Sequence, residues 1–138
     1  MAGYSGTPLA KKLGIKHGFH IRLINAPDHY FDLFTDLPPE LVFEDSGNKK
    51  LDFIHFFTKE KAEYESLLPQ LLQQLKPAGM IWASWPKKSS KVVTDITEDI
   101  IRTYALQTGL VDIKVCAVDD VWSGLKLVIP VKDRVFSA

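Results

Sequence analysis

The sequence predicts a single three-layer α/β domain: a mostly parallel sheet between helices, with one antiparallel strand from a C-terminal β-hairpin. Three observations predict it. Apolar runs alternate with helical patterns in the order β-α-β-β-α-β-α-β-β, which implies parallel strands joined by right-handed crossovers. Residues 51–57 are nearly all apolar, the mark of a strand buried on both faces. The last two runs, residues 111–118 and 122–129, flank Asp119-Asp120 as a hairpin.

Each element has a local reason. Residues 7–14 read as a short helix, with Thr7 as cap, Pro8 at the first helical position and Gly14 past the end. Leu9 and Leu13 share one face and pin this arm to the core. Residues 19–24 form a strand with Asn25-Ala26-Pro27 as its exit. Asp28 then caps a short helix in which Tyr30, Leu33, Phe34 and Leu37 fall at helical spacing. Pro38-Pro39 stops it, and residues 41–43 are the second strand. Asp45-Ser46-Gly47-Asn48 is a turn into the third strand, residues 51–57. Residues 58–75 are the longest helix. Tyr64, Leu67, Leu68, Leu71, Leu72 and Leu75 stripe it, and Pro69 is expected to kink it. Lys76-Pro77-Ala78-Gly79 is the turn into the fourth strand, residues 80–84. Asp95 caps the last helix, with Glu98 at capping-box spacing. Ile96, Ile100, Ile101, Tyr104 and Ala105 face inward, and Gly109 ends the helix. The organisation is an arm over residues 1–18, a body over 19–130 and a tail over 131–138.

Composition excludes several classes. The 138 residues are 46% hydrophobic and 25% charged, a globular mix that leaves out disorder and coiled coil. Seventeen basic and seventeen acidic residues sum to zero, so no whole-molecule field draws nucleic acid. The zero hides segregation: residues 1–22 hold four basic residues and no acid, and residues 76–91 hold four lysines and no acid. Residues 23–75 hold ten acids against four lysines. A single cysteine, Cys116, permits no intramolecular disulfide and suits a reducing cytoplasm. Met1 to Ile15 lacks the apolar core of a signal peptide, and no apolar run is long enough for a membrane span.

The candidate binding residues fall in two groups. Ser84, Trp85, Lys87 and Lys88 stand in a loop after a parallel strand, where open α/β sheets bind ligands. Ammonium and hydroxyl donors beside an indole plane suit a small anion or phosphate; the plainer reading is a solvated loop anchored by a buried tryptophan. Asn25, Glu44, Asp45, His55, Phe57 and Thr58 line the same edge if the strands align, the place for a nucleoside; the plainer reading is turn and cap chemistry. Asp119 and Asp120 read as turn formers before an acid–base pair, Trp122 as core, and Cys116 as a buried structural thiol. His17, His20, His29 and His55 have no zinc-site spacing, so no metal is assigned. The arm segment Gly3-Tyr4-Ser5-Gly6 is expected to lie over the sheet edge near the lysine loop.

Two resemblances add to this reading. Lys76-Pro77-Ala78-Gly79-Met80-Ile81-Trp82, after a leucine-striped helix, is similar to the LKPGG turn of class I S-adenosylmethionine-dependent methyltransferases, and a Thr-Gly-Leu segment before a final hairpin is similar to that fold's end. The resemblance implies a Rossmann-like sheet, S-adenosylmethionine as cofactor, and Glu44 in the position of the ribose-binding acid. The sequence departs from the pattern in two places: Asn25-Ala26-Pro27-Asp28 stands where the family has a glycine-rich turn, and one strand–helix unit is missing. The segments at residues 3–15 and 115–128, with Ser84-Trp85-Pro86-Lys87-Lys88 between them, resemble a bacterial family catalogued as domain of unknown function 3052. That resemblance implies a Rossmann-like fold and no assigned activity. Three functions follow as expectations. The first is a non-enzymatic or degenerate domain binding a small anionic ligand or a protein partner. The others are a divergent methyltransferase and a structural or oligomer-forming module using the hairpin edge.

Overall fold

The computed structural model describes residues 7–45 and 50–135. Its helices are α1 (Leu9–Leu13), α2 (Lys61–Gln74) and α3 (Glu98–Thr108). Its strands are β1 (His20–Ile24), β2 (Val42–Phe43), β3 (Leu51–Phe57), β4 (Leu75–Pro86), β5 (Val111–Ala117) and β6 (Trp122–Val128). They form a six-stranded sheet among the described residues, in the order β2-β1-β3-β4-β6-β5. The first four strands are parallel, and β6 runs antiparallel to both β4 and β5. The expected mixed α/β sheet is therefore observed, with β6 inserted one place inside the edge.

The two faces are covered unequally. Alternate residues of a strand point to opposite faces, so Ile54 and Phe56 of β3, Ile81, Ala83 and Trp85 of β4, and Leu125 and Leu127 of β6 turn one way. They bury Tyr64, Leu68 and Leu71 of α2 and Ile101 and Ala105 of α3. The other face carries Ile21, Phe53 and Trp82. It is covered by five-residue α1, through Ala10 and Leu13, and by irregular chain around Tyr30. The Trp82 indole N–H donates to Leu13 O at 2.8 Å, fastening α1 to the sheet.

Several local expectations are corrected, each by a contact between distant residues. The helix expected over residues 30–37 is one 3-10 turn, Tyr30–Leu33, and Phe34 is already extended. Pro8 occupies the cap position of α1, and the Asp36 carboxylate instead accepts from Ala10 N and Lys11 N, both at 3.1 Å. Thr97 caps α3 by accepting from Ile100 N at 3.2 Å. Asp95, expected in that role, accepts from Lys61 N at 2.7 Å and so caps α2. Glu98, expected to complete the capping box, pairs with Arg102. Helix α2 runs through Pro69. Proline cannot donate to the carbonyl four residues back, and the Tyr104 hydroxyl donates to that carbonyl, Glu65 O, at 2.9 Å. Cys116 is half-buried, because β5 is the sheet edge and Ile113 and Val115 are exposed.

The expected turn at Lys76-Pro77-Ala78-Gly79 lies within β4. Leu75 pairs with Leu51 and Met80 with Phe53, so four residues oppose one on β3 and bulge out of register. Gly79 passes so close to β3 that a Cβ there would stand 2.8 Å from Leu51 O. Gly79→Ala is expected to lower the urea midpoint, by about 1–3 kcal/mol of stability, because the obstacle is backbone. An unchanged midpoint would mean the bulge can shift freely.

Candidate functional site

In this sheet the strand order reverses between β1 and β3, and an open α/β sheet binds its ligands at the carboxyl ends beside such a point. Asn25 follows β1 in the left-handed region (φ 57), which asparagine tolerates better than most residues. Its side-chain amide donates to Phe57 O at 3.1 Å, the last carbonyl of β3. One side chain thus spans the two strand ends at the reversal.

The chain then turns down onto the sheet. Tyr30 N donates to Pro27 O at 2.9 Å, and the Tyr30 ring enters the face against Phe57, Phe34 and His55. Val118 and Trp122 from the hairpin close over the same cluster. His29, at the surface, meets the Asp119 carboxylate at 3.0 Å. Burial works to raise the Asp119 carboxyl, but His29 and the N–H groups of Trp122 and Val121 outweigh it and hold the group below its ordinary range. Asp119 Oδ1 accepts from both N–H groups at 2.8 Å, so this acid shapes the hairpin turn.

Beneath the edge lies a buried polar chain. The Tyr30 hydroxyl is 2.9 Å from His55 Nδ1, and His55 Nε2 is 2.8 Å from Ser84 Oγ. His55 and Ser84 are fully buried and Tyr30 nearly so. Burial pushes the His55 imidazole down to about 3 and raises the Tyr30 phenol, so His55 is neutral near pH 7. A neutral imidazole has one donating and one accepting nitrogen, and the three residues make a single directed chain. Serine beside histidine has the residue types of a nucleophile and its base, but this hydroxyl is sealed in the core. The arrangement satisfies polar groups and specifies packing.

The other sequence-chosen residues are dispersed. Ser84 and Trp85, adjacent on β4, point to opposite faces, and Trp85 joins the α2–α3 core. The Lys87 ammonium donates to Asp119 O and its N–H to Val121 O, each at 2.7 Å. Only Lys88 of this group is fully exposed. The four therefore do not share one anion-facing surface. Thr58 Oγ1 donates to Glu63 Oε1 at 2.6 Å and accepts from Glu60 N at 3.2 Å, organising the start of α2. Glu44 is not brought to the carboxyl edge. Strand β2 stops after two residues, Glu44 N donates to Ile21 O, and its carboxylate reaches back 2.6 Å to His20 Nδ1 at the start of β1. Gly3-Tyr4-Ser5-Gly6 lies outside the described residues. Lys12 of the N-terminal segment does reach the hairpin, donating to Ala117 O at 3.3 Å, two residues from the carbonyl held by Lys87. Sequence reasoning missed the Tyr30–His55 and His29–Asp119 pairs; the isolated histidines were the available signal.

No family model matches the chain, and no curated protein matches it. Solved structures do. The chain is similar to an S-adenosylmethionine-dependent methyltransferase from Aquifex aeolicus, at 14% identity over 88% of each chain, TM-score 0.66. It is similar to magnesium protoporphyrin IX methyltransferase from Synechocystis with bound SAH, at 10% identity over 88% of this chain and 78% of that one, TM-score 0.60. It is also similar to an S-adenosylmethionine-dependent methyltransferase from Clostridium acetobutylicum, at 9% identity over 88% and 87%, TM-score 0.58. These likenesses establish the fold: a Rossmann-like sheet of the class I methyltransferase type.

Proposed function

We propose that this chain is a methyltransferase-fold domain that works by binding a small anionic ligand, without methyl-transfer chemistry. The observation that carries the reading is Asn25, whose amide bridges β1 and β3 where a nucleoside cofactor would need open backbone. Glu44, the acid that resemblance would put on a ribose, is engaged by His20 instead. The resemblance of residues 3–15 and 115–128 to domain of unknown function 3052, and a reducing cytoplasm for the single cysteine, belong to the same proposal.

A thermal titration with S-adenosylmethionine tests it. Ligand at about a hundred times its Kd stabilises a site by ~2.7 kcal/mol, several degrees for a domain of this size. The expected result is no shift at millimolar cofactor. A saturable rise would overturn the reading and support the second one, a divergent S-adenosylmethionine-dependent methyltransferase. That second reading draws on the 88% mutual coverage with the Aquifex aeolicus structure.

A further inference from the structure

The two outer strands of the sheet, β2 and β5, are each paired on one side only among the described residues. Both present apolar side chains to solvent. On β2 these are Val42, 43% exposed, and Phe43, 47% exposed; on β5 they are Ile113 and Val115, the latter 46% exposed. Phe43 also meets the exposed Phe31 edge to face, ring centroids 5.4 Å apart, which widens the β2 patch. An unpaired strand edge lined by apolar groups is a template for another strand.

The outward backbone groups of both edges follow from the bonds already made. Val42 N and Glu44 N donate to Phe19 O and Ile21 O at 2.9 and 2.8 Å, so Phe43, between them, turns its N–H and C=O away from β1. On β5, Val118 N donates to Trp122 O at 2.9 Å. Hydrogen-bonded pairs alternate along an antiparallel ladder, so Val115 and Ala117 turn their groups away from β6. The Lys12 ammonium, 3.3 Å from Ala117 O, agrees with that direction. The bulge of β5 lies before Val115, so residues 115–117 are in regular register. Two antiparallel steps separate β5 from β4, so β5 and β2 run the same way.

In a parallel pair, one residue bonds to two residues of its neighbour that stand two apart. Phe43 of one copy thus fits between Val115 O and Ala117 N of another, with Phe43 beside Cys116 and Val42 beside Val115. The faces agree. Phe43, opposite Ile21, and Cys116 turn to the α1 face, whereas Val42, and Val115 opposite Leu125, turn to the α2–α3 face. Charge selects this pairing over the two-fold ones. Asp45 ends the β2 edge and Asp32 adjoins Phe31, and among the described residues neither makes an ion pair. On β5, Asp112 is engaged by Arg102, while Lys114 is exposed and the Lys12 ammonium stands at Ala117 O. Pairing β2 with β2 sets acid on acid, and β5 with β5 sets base on base. Pairing β2 with β5 brings opposite signs together.

We propose that a second copy of this chain docks head to tail, the β2 edge of one copy adding in parallel to the β5 edge of the next and continuing the sheet. The contact is heterologous, so its repetition gives a closed ring or an open row. It uses neither the β1–β3 reversal nor a ligand, and so stands apart from the function proposed above.

The test is sedimentation velocity of the full chain at rising concentration. Two short edges make a small interface of the weak class, so the average mass is expected to rise only toward millimolar concentration and to fall with added salt. Exchange of the Phe43 and Ala117 amide protons should slow as the chains associate. Phe43→Pro and Ala117→Pro each remove one outward N–H, at edge positions where proline is tolerated. Each variant alone is expected to need roughly tenfold more protein to associate, from one lost hydrogen bond and the ring in its way. Mixed in equal amounts, the two are expected to form a one-to-one complex and nothing larger, because each keeps the edge the other lacks. Val42→Asp and Val115→Asp, which set a charge against a valine, repeat the experiment should a proline variant fail to fold. A single-chain mass at every concentration, undiminished association of either variant alone, or no complex on mixing would overturn the proposal.

Discussion

Trp82→Ala is expected to destabilise the fold by about 3–5 kcal/mol, the cost of deleting a fully buried indole. The ring fills a place made for it: a Cβ on Gly124 of the neighbouring strand would stand only 3.0 Å from its edge. Its N–H is also the fastening for Leu13 O, and so for α1. Loss of both should loosen the N-terminal helix before the sheet opens. Trypsin is then expected to cut the variant faster at Lys11, Lys12 and Lys16 than at Lys61, the one lysine of α2. Trp82→Phe retains most of the apolar area and loses the donor, so it should cost about 1–2 kcal/mol, near the penalty for one unmade buried hydrogen bond. Urea unfolding of the pair separates packing from hydrogen bonding. Equal losses in the two variants would show that the Leu13 contact dominates.

Acid should destabilise this protein through His55. The group titrates near 6.5 when unfolded and is pushed down to about 3 when folded. Between those values the unfolded chain binds the extra proton, so stability falls as pH falls. His55 contributes fully above pH 6.5, and by pH 4.5 the loss from this group is about 2–3 kcal/mol. Carboxylates titrate in the same range, so the measurement is the difference between wild type and His55→Gln. Glutamine can bond Tyr30 and Ser84 without gaining a proton, and its stability curve should lie below wild type at pH 7 and converge with it toward pH 4.5. In the folded wild type, the imidazole NMR signals should stay those of the neutral ring at pH 5. Parallel stability curves would show that His55 is protonated in the folded state.

The edge residues explain how much of the site could be read beforehand. Asn25 stood at the expected place because the end of a strand is a local feature, marked by Ala26-Pro27 just after it. That it would close the reversal between β1 and β3 depended on Phe57 O, brought in by a different strand. Glu44 follows β2, the local mark of an edge acid, but that strand is only two residues long and the carboxylate turns to His20. The lysine loop looked like one cluster in sequence, yet the alternation of β4 sent Ser84 and Trp85 to opposite faces, and the Lys87 ammonium went to the hairpin.

The sequence by itself determined the layers. The apolar run of β3, the leucine stripe of α2 and the glycine ending α3 carry their message within one segment, since strand and helix periods are local properties of the chain. The tertiary structure alone decided where polar groups found partners. Asp36 caps α1, Asp95 caps α2 from 34 residues away, and Tyr104 supplies the donor that Pro69 withholds. Hydrogen bonds and charges act through space over a few ångströms, so their partners are set by how the layers stack and not by spacing along the chain.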